Sequence, residues 1–82
     1  MVEIRFDKKF VSLFSKLKEE LLKTKIKKQI NKIVINPEIG KPMKYSKKGT
    51  RELYIKPYRL SYFYDSKNHI IYILDLYHKN KQ

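Results

Sequence analysis

Apolar and polar residues alternate through Val2-Glu3-Ile4-Arg5-Phe6, a period of two that predicts a strand with Val2, Ile4 and Phe6 turned inward. The period then lengthens. Phe10, Phe14, Leu17 and Leu21 recur at helical spacing, with Val11, Leu13 and Leu22 widening the stripe, so a helix is expected from about Lys8 to Leu22. Asp7 has the side chain of an N-cap, and Phe6 and Val11 occupy the positions of a hydrophobic staple across it. Thr24 is placed to cap a second helix, from about Lys25 to Val34 or Ile35. Ile26, Ile30, Ile33 and Val34 line its apolar side, and Lys25, Lys27, Lys28 and Lys32 the other. Asn36-Pro37 stops it. With almost no linker between them, the helices should form an antiparallel hairpin.

Pro37, Gly40, Pro42 and Gly49 mark residues 37–50 as a loop, which also holds Lys41, Lys44, Lys47 and Lys48. The period of two then returns. Arg51–Lys56, Tyr58–Tyr64 and Ile70–Tyr77 read as three strands, parted by Pro57 and by the turn Asp65-Ser66-Lys67-Asn68. The order β-α-α-β-β-β predicts an α+β fold in which the helical hairpin packs on one face of a mainly antiparallel, twisted sheet. Strict alternation sends Leu53, Ile55, Leu60, Tyr62, Leu74 and Leu76 to the core. It leaves Glu52, Tyr54, Lys56, Arg59, Ser61, Phe63, Ile71, Ile73, Asp75, Tyr77 and Lys79 on the face the helices do not cover.

Length changes this picture little: 82 residues make one domain, spanning 1–82, with a modest core. The absence of cysteine removes disulfides and thiolate metal sites, and fits a cytoplasmic protein. No apolar run is long enough to cross a membrane, and the alternation at residues 1–6 is not that of a signal peptide. Charge changes the picture more. Twenty Lys and Arg against eight Asp and Glu give a net charge of +12. So much repulsion on so small a domain points to an anionic partner. A lysine-rich background accounts for part of it, but not for the scarcity of acids.

The uncovered sheet face then acquires a chemical meaning. Arg59 offers a planar fork to a phosphate, Lys56 and Lys79 supply point charge, and Tyr54 and Tyr77 can stack on splayed bases. Such a set suits RNA. A solvent-facing sheet is polar in any case, and tyrosine is a good strand residue. Two histidines with scattered carboxylates make no metal motif, Gly40-Lys41 lacks the spacing of a phosphate loop, and His69 sits beside a turn. No cofactor is implied.

Four ordered motifs bring in a family. Ile39-Gly40-Lys41-Pro42-Met43, Lys48-Gly49-Thr50-Arg51-Glu52-Leu53, Tyr58-Arg59-Leu60-Ser61-Tyr62 and Leu74-Asp75-Leu76-Tyr77-His78-Lys79 together resemble the RelE/ParE superfamily of type II toxins. The resemblance spans nearly the whole chain. It implies a compact toxin neutralised by a cognate acidic antitoxin. RelE-like members cleave messenger RNA on the ribosome without a metal, by attack of the 2′-hydroxyl on the adjacent phosphate. ParE-like members poison DNA gyrase instead.

Carried over residue by residue, the resemblance gives Arg59 the scissile phosphate, with an ion pair to Asp75 as its alternative. Lys79 would act as cation or acid at the leaving 5′-oxygen, with Lys56 close by. His78 matches an acid/base histidine, although alternation turns it toward the core. Glu52 stands where some members have lysine; it reads either as a general base or as a salt-bridge partner of Arg51 or Lys56. A base-stacking tyrosine beyond the terminal basic residue has no counterpart up to Gln82, and Tyr54 or Tyr77 would replace it. Arg51, Lys16, Lys18, Lys27, Lys28, Lys47 and Lys48 would meet RNA, ribosomal RNA above all. A mute nucleic-acid-binding domain remains as the third alternative.

Overall fold

The computed structural model describes residues 2–43 and 49–78. Strand β1 (Glu3–Phe6) leads into helix α1 (Lys8–Lys16) and helix α2 (Glu20–Ile35). A two-residue strand, β2 (Lys41–Pro42), precedes β3 (Thr50–Ile55), β4 (Tyr58–Asp65) and β5 (Ile70–His78). All five strands share one sheet in the order β1-β5-β4-β3-β2. β1 runs parallel to β5 and every other pair is antiparallel. The α+β architecture and the element order are those expected, with β2 added inside the segment read as a loop.

The helices differ from expectation at their junction. The break falls at residues 17–19, where Leu17 turns extended (ψ 133°) and its N–H bonds the Phe14 carbonyl. Helical geometry explains why. Phe10, Phe14 and Leu17 form one stripe; Leu22, Ile26, Ile30 and Ile33 form another, about 150° away if the helix ran on unbroken. Only a break lets both stripes reach one core. Leu22 is accordingly buried, while Leu21, expected in the stripe, is 68% exposed. Thr24 is not a cap but an interior residue of α2, its hydroxyl donating to the Glu20 carbonyl. Asp7 does cap α1, accepting from the Lys9 N–H at 2.8 Å. Phe6 stacks on Phe10 at 5.7 Å and is 47% exposed, and Val11 is 50% exposed, so the staple closes through Phe10.

The core joins Phe10, Leu22, Ile26 and Ile33 of the helices to Ile55, Leu60, Tyr62, Ile71, Ile73 and Leu76 of the sheet. Ile71 and Ile73 were expected on the opposite face, and Leu74 in the core. A β-bulge reverses both assignments. Tyr62 pairs with Ile73 but Ser61 pairs with Asp75, so Leu74 is the extra residue. The strand changes parity there, which lets Ile71, Ile73 and Leu76 all face the helices. Leu74 is half-buried and lies outside the core.

Tyr62 also ties down the turn after α2. Its hydroxyl donates to the Pro37 carbonyl and accepts from the Gly40 N–H, both at 2.8 Å. Arg51 adds bonds from Nη1 to the Gly40 carbonyl (2.8 Å) and the Glu38 carbonyl (3.0 Å). A side chain at Gly40 would meet the Tyr62 ring at 2.7 Å, so the close approach needs glycine.

Candidate nucleic-acid interface

The strand registers arrange the face away from the helices in three cross-strand rows. Tyr54, Arg59 and Tyr77 form the first. Lys41, Glu52, Ser61 and Asp75 form the second. Thr50, Phe63, Tyr72 and Arg5 form the third. Glu52, Tyr54, Arg59, Ser61, Asp75 and Tyr77 thus lie together as alternation predicted. Lys56 stands exposed in the β3–β4 turn beside them. Lys47, Lys48 and Lys79 lie outside the described residues.

At the centre, Arg59 Nη1 bonds Glu52 Oε1 at 2.8 Å. Glu52 is 8% exposed and Arg59 32%. Glu52 is therefore an ion-pair partner, as one reading held, but of Arg59 and not of Arg51 or Lys56. Asp75, the alternative partner for Arg59, is engaged elsewhere: Oδ1 accepts from the Leu76 N–H and Oδ2 lies 3.2 Å from Lys9 Nζ. Glu52 Oε2 and Arg59 Nε are buried without a hydrogen-bond partner. A buried carboxylate oxygen and guanidinium N–H in that condition are costly to keep.

The described part of this face is charge-balanced, not cationic: Arg5, Lys41, Arg59 and the neighbouring Lys56 stand against Glu3, Glu52, Asp65 and Asp75. The cations concentrate on α2, which carries Lys23, Lys25, Lys27, Lys28 and Lys32 with Glu20. Lys27 and Lys28 are exposed there, across the sheet from Arg59. Arg51 alternates with Glu52 and faces the helix side, where its Nη1 holds the 38–40 turn. His78 pairs with Tyr58 in the β4–β5 register, their rings edge-on at 5.6 Å, on the same side as Leu60 and Leu76. Among the described residues no group of three His, Cys, Asp or Glu could hold a metal, and no helix is long and apolar enough to cross a membrane.

Sequence reasoning missed the third row because it ran β5 without a bulge. The signal was present: core-type residues at 71, 73 and 76 cannot share a face unless one residue is extra. A second surface lies on the helix side. Phe6, Phe10, Val11 and Phe14 face Lys27, Ile30 and Asn31 across an apolar groove of about 460 Å³.

Comparison with known proteins places this geometry. The model of a family described as ParE toxin of the type II toxin-antitoxin system, parDE, matches residues 4–82. The isolated RelE toxin of Escherichia coli superposes with a TM-score of 0.82 at 14% identity, over 100% of this chain and 88% of that one. A YoeB/ParE toxin from Agrobacterium tumefaciens gives 0.84 at 13%, over 94% and 98%. The toxin-antitoxin complex RelBE2 of Mycobacterium tuberculosis gives 0.80 at 24%, over 94% and 96%. No curated protein matches the chain in sequence.

Proposed function

The chain belongs to the ParE toxin family of type II toxin-antitoxin systems, and on that premise we propose that it is an endoribonuclease cutting messenger RNA on the ribosome. The observation that supports this is the Glu52–Arg59 pair, with its unpartnered Oε2 and Nε on the sheet face turned away from the helices. RNA cleavage of this kind needs one group to take the 2′-hydroxyl proton and one to neutralise charge on the phosphate. In this reading Glu52 Oε2 accepts the proton as the 2′-oxygen attacks phosphorus. Arg59 Nε and Nη donate to the phosphate oxygens. The bond from phosphorus to the 5′-oxygen breaks, leaving a 2′,3′-cyclic phosphate, and the 5′-oxygen takes a proton from Lys56 or Lys79. Tyr54 and Tyr77 flank Arg59 and bracket the nucleotides on either side. His78, edge-on to Tyr58, supports the strand end instead of meeting the phosphate.

The test is a translation extract programmed with a defined message. Wild-type protein should cleave it only when ribosomes are present, and Arg59→Ala should not. Intact message with the wild-type protein rejects the nuclease. Gyrase inhibition is the second reading, favoured by the ParE description of the matching family and by the fact that Glu52 already occupies Arg59. Loss of supercoiling in a purified gyrase assay, with message left intact, selects it.

The partner in the cell is a cognate antitoxin. Its seat, in our reading, is the groove bounded by Phe6, Val11 and Ile30, whose rim bears Lys27. An acidic amphipathic segment matches both the apolar floor and the +12 charge, whereas a second copy of the chain would set like charges together. Val11→Arg should weaken antitoxin binding at least tenfold without unfolding the protein, since Val11 is half-exposed. Unchanged binding in a calorimetric titration places the antitoxin elsewhere.

A further inference from the structure

Phe63 points away from the core, a large apolar ring set among Thr50, Ser61 and Tyr72. It is 37% exposed and stacks on Tyr72 of the neighbouring strand, with ring centroids 6.1 Å apart and planes inclined by 29°. The two residues are direct partners in the β4–β5 register, and Arg5 stands opposite Tyr72 on the other side. Gly49, held at φ +95°, passes beside Phe63 with no side chain of its own. The result is a two-ring aromatic platform on the same sheet face as Arg59, flanked by a guanidinium at the β1 edge.

We propose that Phe63 and Tyr72, with Arg5 beside them, form a nucleobase-stacking subsite separate from the Arg59 centre. An aromatic cross-strand pair stabilises a sheet anywhere. Three features single this one out. First, Phe63 lies four positions beyond Arg59, about 13 Å along β4. Stacked nucleotides repeat at about 3.4 Å, so a single strand held at Arg59 reaches the platform within about four nucleotides, fewer if drawn out. Second, among the described residues Arg5 is held by Glu3, and both are 55% exposed. A solvent-exposed pair of this kind is weak and yields readily to a phosphate. Third, a nucleic acid drawn in by the net charge of +12 meets a charge-balanced middle among the described residues of this face, so stacking there adds a hold that local charge does not. Base-on-aromatic stacking is tolerant of sequence, so the subsite would add affinity and register but little base preference.

The subsite rests on the reading that single-stranded RNA lies on this face, and its test separates the two claims. The probe is a 2′-O-methyl hexanucleotide with one 2-aminopurine, which lacks the attacking hydroxyl and whose fluorescence falls on stacking. Moved along the strand, the 2-aminopurine should be quenched at one position by the wild-type protein. Phe63→Leu, which keeps an apolar side chain but removes the ring, should abolish that quenching and weaken binding about tenfold. Phe63→Trp should restore both, and Leu21→Ala, on the outer side of α2, should change neither. Quenching and affinity unchanged in Phe63→Leu overturn the subsite even if Arg59→Ala stops ribosomal cleavage. So does a Phe63→Leu protein that binds the probe normally but loses its antitoxin, since the platform would then be a protein contact. If the wild-type protein stacks the probe yet cuts no message, the subsite stands and the nuclease falls.

Discussion

Arg59 reaches Glu52 along a diagonal of the β3–β4 ladder, Tyr54 facing Arg59 and Ser61 facing Glu52, and the contact is 2.8 Å. Removing one partner strands the other. Arg59→Ala should cost about 2 kcal/mol by urea unfolding, less than a fully buried pair because Arg59 is partly solvated. The double variant Glu52→Leu with Arg59→Met should recover most of that loss, since buried ion pairs contribute little net stability. Cleavage should be lost in both. Glu52→Gln keeps the shape and should lower the cleavage rate about 10²- to 10⁴-fold if the carboxylate is the base. Full activity in Glu52→Gln assigns Glu52 to holding Arg59 alone.

The anchor at the end of α2 gives a second measurement. Tyr62→Phe removes a hydroxyl that serves two backbone groups, leaving a buried Gly40 N–H unpaired. A loss of about 1–3 kcal/mol is expected. Gly40→Ala should destabilise too, because its methyl must displace the Tyr62 ring. A Gly40→Ala protein as stable as wild type would mean that the turn does not sit against Tyr62.

Adjacent leucines test the helix break. Leu22→Ala should cost about 2–5 kcal/mol and Leu21→Ala less than about 0.5 kcal/mol. The reverse ranking would restore a helix running unbroken to Leu22.

The β4–β5 turn makes stability depend on pH. The Asn68 side-chain amide, then its backbone N–H, hold the Asp65 carboxyl below its ordinary range. A lowered native value means that the unfolded chain binds the proton first as pH falls. The contribution is therefore complete above the ordinary carboxylate value of about 3.9 and disappears as pH drops through the native one. Asp65→Asn should melt earlier than wild type at pH 7, and the two curves should converge toward pH 2. A gap that persists at pH 2 would trace the effect to something other than charge. At the alkaline end burial raises the Tyr62 phenol, so its contribution is present below about pH 10 and fades as pH climbs through the raised native value.

Signals acting over a few residues were legible from the sequence: the Asp7 cap, the Asn36-Pro37 stop, the Asp65–Asn68 turn, and the strands themselves. So was the phase conflict between Phe10-Phe14-Leu17 and the stripe starting at Leu22, although the Thr24 cap signal obscured it. Three things required coordinates. Alternation puts Glu52 and Arg59 on one face, but which of three nearby cations Glu52 chooses depends on the register of β3 against β4. The charge of that face depended on Lys41 arriving beside Glu52 from β2, within the segment read as a loop. The Phe63–Tyr72 platform depended on an extra residue in β5, which a strict period of two cannot accommodate.

The bulge at Leu74 also has a bearing on how such a chain can change over generations. Upstream of it, odd-numbered residues of β5 face the core; downstream, even-numbered ones do. Deleting the Leu74 codon would leave a regular period of two with both sets in place, Asp75 and Tyr77 on the Arg59 side and Leu76 and the imidazole beside Tyr58 on the other. A single in-frame deletion is thus absorbed at this point without redrawing which strand-end groups the scaffold presents.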